Sequence, residues 1–182
     1  GEIRSYNARI AENEEQIEKL QKELSEKQEK LRIGQTAYHR ESSRLESLKN
    51  ITERYDGYGN SIRRVMANKD RETGLIGVVA DIIKVDKEYE IAVETALGGS
   101  IQNIVTDNEE TAKRMIAFLK KNKFGRATFL PLTSMQGSGG IRNPEALQEP
   151  GVIGLANTLV HVERRFENLA GQLLGRTIVV DH

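Results

Sequence analysis

The chain predicts an α+β fold, a two-lobed globular domain built from an internal repeat and preceded by a long coiled-coil helix. Three observations predict it. Apolar residues recur at every seventh position from Ile3 to Leu45, with no proline before the turn residues at 56–60. A stretch from Gly74 to Asp107 returns in a second version from Gly151 to Asp181. Between arm and repeat, Asp56, Gly57, Tyr58, Gly59 and Asn60 supply turn chemistry that a helix does not tolerate.

The arm is read first. Ile3, Ile10, Ile17, Leu24, Leu31, Tyr38 and Leu45 form an unbroken heptad column, the pattern of a left-handed coiled coil. With that column as a, the d column is Tyr6, Asn13, Leu20, Lys27, Gly34, Glu41, Leu48 and Tyr55, apolar at its ends and polar in its middle. The seam is therefore loose, and Gly34 weakens the helix by roughly 1 kcal/mol. The segment is expected to need a partner helix, to bend near Gly34 and, at about 1.5 Å per residue, to project roughly 80 Å. The expected boundaries are an arm at 1–58 and a globular domain at 59–182, with a first lobe at about 59–133, a linker at 134–150 and an incomplete second lobe at 151–182.

After the turn, Ser61 to Lys69 resumes a short helical pattern. The repeat then begins. Laid ungapped at an offset of 77, Gly74 falls on Gly151, Gly77 on Gly154, Val85 on Val162, Glu90 on Glu167, Leu97 on Leu174 and Gly98 on Gly175. Both copies open on Gly-x-x-Gly, take helical spacing around an aromatic (Tyr89, Phe166), reach Leu-Gly and close on an apolar strand and Asp (Asp107, Asp181). Ile76 to Ile83 reads as a strand, Glu88 to Leu97 as a helix stopped by Gly98 and Gly99, and Ile101 to Val105 as a strand. Asp107 with Glu110 reads as a capping box for a helix from Glu109 to Lys123, stopped by Gly125. Ala127 to Leu132 is an expected strand, and Thr133 to Gly151 a loop rich in Gly, Ser and Pro. The first copy continues past its Asp into a helix and a strand, whereas the chain ends at His182; the expectation is a fold cut short.

Composition sets the outer limits. At 182 residues a 37% apolar fraction is thin for one core, which a long polar helix beside a smaller globule reconciles. Lys+Arg and Asp+Glu balance at 27 each, so any basic surface is local. The absence of cysteine excludes disulfides, thiol catalysis and cysteine-ligated zinc. No apolar run reaches membrane-spanning length and no signal-peptide core is present, so a cytoplasmic chain excised from a longer one is expected.

Catalytic chemistry finds no foothold. Gly137-Ser138-Gly139-Gly140 lacks the lysine and following helix of a phosphate-binding loop and reads as linker. His39, His161 and His182 lack metal-ligand spacing, and His161, in the slot of Lys84, reads as a surface strand position. Asp81, Asp86, Glu88 and Glu90 offer carboxylates, but only the positions of Asp86 and Glu90 stay acidic in the second copy, which suits helix starts. What remains is basic surface: Arg63, Arg64 and Lys69 beyond the arm, and Lys120, Lys121, Lys123 and Arg126 around a helix end. Together they would hold a nucleic-acid backbone through phosphate contacts; singly they complement a helix dipole.

The heptad arm leading to Gly-x-x-Gly-x-Val, then Tyr89-Glu90-x-Ala92, Ala96-Leu97-Gly98, Ile104-Val105-Thr106-Asp107 and Phe124-Gly125-Arg126-Ala127-Thr128-Phe129-Leu130-Pro131-Leu132, resembles the hinge of the structural maintenance of chromosomes (SMC) proteins, most closely the bacterial ones. The resemblance covers nearly everything from Gly74 to Asp181. It implies a non-enzymatic hinge through which two chains form a homodimer, holding together the long arms of a chromosome-condensing and -segregating ATPase. It further implies a second arm helix of the same protein as partner, DNA contact near the hinge–arm junction, no membrane, and a nucleoid-associated location. No cofactor is expected in this region; ATP and Mg belong to head domains outside the chain. Hinges of this family continue past the position of Asp181 through a helix, a strand and a Pro-Gly-Gly type segment. The related zinc-hook ATPases require Cys-x-x-Cys and are excluded. The alternative from another class is a small α/β nucleotide-binding or enzymatic domain with a helical oligomerisation tail.

Overall fold

Mixed charge, a heptad column and the lack of proline make α1 (Glu2–Arg54) one α-helix, uninterrupted at Gly34, in the computed structural model, which describes residues 1–181. The chain divides into two compact units, Gly1–Asn50 and the remainder from Ile51. That division falls before the boundary expected at 58, because Ile51 and Tyr55 pack in a core of the second unit. Within the first unit, all seven column residues lie on the helix surface, 53–77% exposed.

In the second unit, α2 (Asn60–Met66) follows the turn and buries Ile62, Val65 and Met66. The first copy of the repeat then supplies β1 (Leu75–Val78), α3 (Val79–Ile82), β2 (Lys84–Val85), α4 (Glu90–Leu97) and β3 (Ile104–Thr106). It continues into α5 (Glu109–Asn122) and β4 (Phe129–Pro131). The second copy supplies β5 (Val152–Leu155), a 3-10 turn at Ala156–Leu159, β6 (Val160–His161), α6 (Glu167–Leu174) and β7 (Ile178–Val180). Each strand and helix from β1 to β3 thus has its counterpart. The offset of 77 holds through the helices and shortens at the last strand, where the first copy carries a 3-10 turn, Gly98–Gln102, before β3.

The two copies share local solutions. β1 pairs antiparallel with β3, and β5 with β7, and each ladder carries an irregularity at the same place, Leu75/Gly77 and Val152/Gly154. The opening glycine and closing aspartate of each copy are joined: Asp107 N donates to Gly74 O at 2.9 Å and Asp181 N to Gly151 O at 2.7 Å. β4 adds parallel to β3, giving the order β1-β3-β4.

The halves then meet through equivalent parts. β2 pairs antiparallel with β6, placing Lys84 opposite His161, the residue it matches in the repeat. α4 and α6, likewise equivalent, pack together. An antiparallel pairing of like with like is the local mark of a pseudo-two-fold axis. The central core reflects it: Val79 and Ala156, Leu97 and Leu174, Val105 and Val179 are matched positions, joined there by Phe166 and Leu169. A second core lies within the first lobe, where Tyr55, Ile62, Val65 and Met66 pack on Leu75, Val78, Ile104, Met115 and Leu119.

Two expectations are corrected. The strand expected over Ile76–Ile83 stops at Val78, and Val79–Ile82 turn helical. Consecutive Val78 and Val79 are each fully buried, one in each core, and the turn is closed by Ile83 N donating to Val79 O at 2.9 Å while Val79 N donates to Asn103 O at 3.0 Å; tertiary context overrides β-propensity. The helix cap is Asn108, whose side chain accepts from Thr111 N at 3.0 Å, and no Asp107–Glu110 capping box forms. Asp107 instead accepts from Asn108 N and the Thr111 hydroxyl, while Glu110 pairs with Lys113.

At the root of the second unit, the buried Tyr55 hydroxyl donates to Asp81 Oδ2 at 2.7 Å, with Arg54 Nε 3.8 Å from the same oxygen. Burial, then the hydrogen bond and negative charge of Asp81, hold the Tyr55 hydroxyl well above its ordinary value. A raised tyrosine contributes stability that is complete below the unfolded value, about 10, and is lost as pH climbs above it. Thermal unfolding from pH 8 to 11 is therefore expected to show a steeper alkaline loss for the wild type than for Tyr55→Phe, which at pH 8 is itself less stable by about 1 kcal/mol. Parallel alkaline slopes would contradict this reading.

Candidate nucleic-acid interface

α5 is amphipathic: Ala112, Met115 and Leu119 are buried, and its charges are sorted along the axis. Glu109 and Glu110 occupy the first turn, Lys120 and Lys121 the last, each complementing the dipole. The basic residues in its first half are spoken for, since Lys113 bridges Glu110 at 2.9 Å and Arg114 bridges Glu72 at 3.0 Å. Lys120, Lys121, Lys123 and Arg126 make no ion pair among the described residues, so their charge is available to a ligand.

The helix ends in a reverse turn of the Schellman type: Phe124 N donates to Leu119 O at 3.1 Å and Lys123 N to Lys120 O at 3.3 Å. The left-handed position is held by Lys123, at φ 54, rather than by the expected stop Gly125, which lies two residues on at φ 98. A lysine there costs about 1 kcal/mol relative to glycine.

The fold brings part of the arm-side basic group to this end. Ser61 Oγ donates to Arg126 O at 2.6 Å, Asn60 Nδ2 to Phe124 O at 3.5 Å, and the Arg64 guanidinium lies 4.7 Å from the Phe124 ring centre. Arg64 is thus held beside the Lys123–Arg126 segment. Arg63, also on α2, is half-buried, and its Nε has no partner among the described residues. Lys69 stands apart, lining a cleft of about 500 Å³ of mixed charge, where Asp81 and Glu163 lie beside Arg54, Lys84, His161 and Arg165. That cleft was not singled out in the sequence; the repeat, which sets His161 on Lys84, was the signal that could have found it.

The other polar candidates resolve as structural. His161 is an exposed strand residue whose Nε2 lies 3.2 Å from Asp86 Oδ1, and Asp81 serves Tyr55. Among the described residues no cluster of His, Cys, Asp and Glu is placed to hold a metal ion; His182 lies outside them. The loop at Gly137–Gly140 packs on α6 as part of the linker.

The site is thus a basic helix end on a two-lobed α+β unit. The comparisons agree. The family described as "SMC proteins Flexible Hinge Domain" matches residues 72–182. The chromosome partition protein Smc of Lactiplantibacillus plantarum is 36% identical over 182 residues, covering 99% of this chain and 15% of that protein. Smc of Bacillus subtilis is 33% identical over 141 residues, covering 76% and 12%. Among solved structures, the asymmetric dimer of the Geobacillus stearothermophilus SMC hinge domain superposes with a TM-score of 0.66 at 34% identity, covering 78% of this chain and 57% of that one. The Pyrococcus furiosus hinge gives 0.57 at 29%, covering 77% and 72%. The chain belongs to the SMC family, and the matched region is its hinge, not a catalytic domain. It spans about a seventh of the length of the relatives it matches.

Replacing Lys123 by glycine is expected to raise thermal stability by about 1 kcal/mol, because the left-handed turn no longer carries a Cβ. A melting temperature equal to or below that of the wild type would show that the turn is not strained.

Proposed function

We propose that this chain is the dimerisation hinge of a chromosome condensation and segregation ATPase, joining two coiled-coil arms and contacting DNA without reading its sequence. The observation that carries the reading is the hinge-family match over a two-lobed fold, together with a similar domain described as a dimer. In this reading the chain forms a homodimer through its lobes, and a second arm helix of the same protein covers the column from Ile3 to Leu45. Burying one such apolar side chain is worth roughly 1.5–3 kcal/mol, which outweighs the loose polar middle of the seam. ATP and Mg belong to heads outside this chain, so the hinge acts mechanically, fixing two arms so that distant heads can close around DNA. The protein works in the cytoplasm at the nucleoid; among the described residues no helix is long and apolar enough to cross a membrane.

DNA contact rests on Lys120, Lys121, Lys123 and Arg126 with Arg64 beside them, and on Arg63 and Lys69 more remotely. Such contact is electrostatic, with affinity falling as salt rises by a slope of about −0.9 per phosphate neutralised. Changing Lys120 and Lys121 to Glu is expected to weaken DNA binding in fluorescence anisotropy and to lower the salt slope by about 2, with an unchanged far-UV spectrum. An unaltered affinity and slope would remove this helix end from the site. For the dimer, sedimentation equilibrium over a wide concentration range is expected to show a discrete dimer. A monomer at every concentration would favour the independent enzymatic or nucleotide-binding domain.

A further inference from the structure

The linker between the lobes is seated more tightly than its composition suggests. Ser138 lies against α6 where Gly171 and Gly175 stand, and a Cβ at either glycine would collide with it. Its hydroxyl donates to Gly175 O at 3.2 Å and accepts from Gly140 N at 2.9 Å. Gly137 and Gly140 both adopt φ 76, which this close approach requires of the chain. The residue after Gly175 is Arg176, and two residues beyond Gly140 is Arg142, so the backbone that Ser138 holds together carries both arginines that line one groove.

That groove encloses about 520 Å³ and is lined by Gly139, Gly140, Ile141, Arg142 and Arg176. No carboxylate lines it, and neither arginine makes an ion pair among the described residues. The loop contributes Gly139, Gly140 and Ile141 to the same lining as the two guanidinium groups. Glycine amides and paired arginines are the chemistry that recognises a tetrahedral oxyanion, because the planar fork meets two oxygens at once.

We propose that the Gly139–Arg142 loop and Arg176 form a binding site for a phosphoryl group, carried by the second lobe and built from residues distinct from those at the basic end of α5. The group comes either from a free phosphate compound or from a nucleic-acid backbone, and the test separates these sources. Calorimetric titrations use the Lys120→Glu/Lys121→Glu chain, so that the α5 end is weakened and binding lost on changing either arginine is assigned to the second lobe. One arm uses inorganic pyrophosphate, the other a single-stranded thymidine oligonucleotide. Saturable binding is expected in at least one arm: pyrophosphate binding identifies the free source, and oligonucleotide binding alone identifies the backbone. Adding Arg142→Ala or Arg176→Ala singly is expected to weaken binding at least about tenfold, the loss of one charge-assisted contact, with an unchanged far-UV spectrum. Both side chains are exposed, so either variant is expected to fold. Absence of binding in both arms, or affinity unchanged in both arginine variants, would overturn the site.

Discussion

One packing arrangement governs the globular unit: the two copies of the repeat close a single central core between them. Matched positions face each other across a pseudo-two-fold axis, with β2 on β6 and α4 on α6, and Leu97 and Leu174 both buried in the middle. The strands are short and the sheets small, with only two or three strands each. Such sheets are marginal without a packed face, and helices and turns supply most of what covers them.

The first lobe carries the extra burden of the arm. Its second core takes Tyr55 and α2 on one side and α5 on the other, so the base of α1 and the basic helix end belong to one packed body. Ser61 and Arg64 fasten the segment that follows α5, and Tyr55 fastens Asp81. The proposed DNA contact is therefore set at a helix terminus that packs into this core. The second lobe uses the same motif differently: glycines at 171 and 175 admit the linker, where the first lobe has an exposed Glu94 and a Gly98 with nothing packed against it.

Much of this was legible in the residues. Heptad spacing predicted α1, and the repeat predicted paired halves, down to the matched glycine and aspartate that prove to be hydrogen-bonded in each copy. The family resemblance rested on motifs such as Phe124 to Leu132, and the comparisons bear it out. What escaped were features decided by tertiary packing. The turn at Val79–Ile82 answers to two cores that no local pattern reveals, and Asn108 outcompetes Asp107 as cap because Asp107 is engaged with Thr111. The sorting of basic residues into paired and unpaired also waited on the fold: Lys113 and Arg114 look like Lys120 and Lys121 in sequence, but only the former reach carboxylates. Lys69 fell into a separate cleft because α2 ends before it and the chain turns away.

The claim on which the account turns is that equivalent residues of the two copies meet. The chain has no cysteine, so a Lys84→Cys/His161→Cys pair introduces the only thiols. Opposite positions of an antiparallel ladder lie within the Cα range that a disulfide bridges. Mass spectrometry after mild oxidation is predicted to show one bond closed within a single chain, together with a higher melting temperature. Two free thiols after oxidation, or bonds formed only between chains, would contradict the shared core.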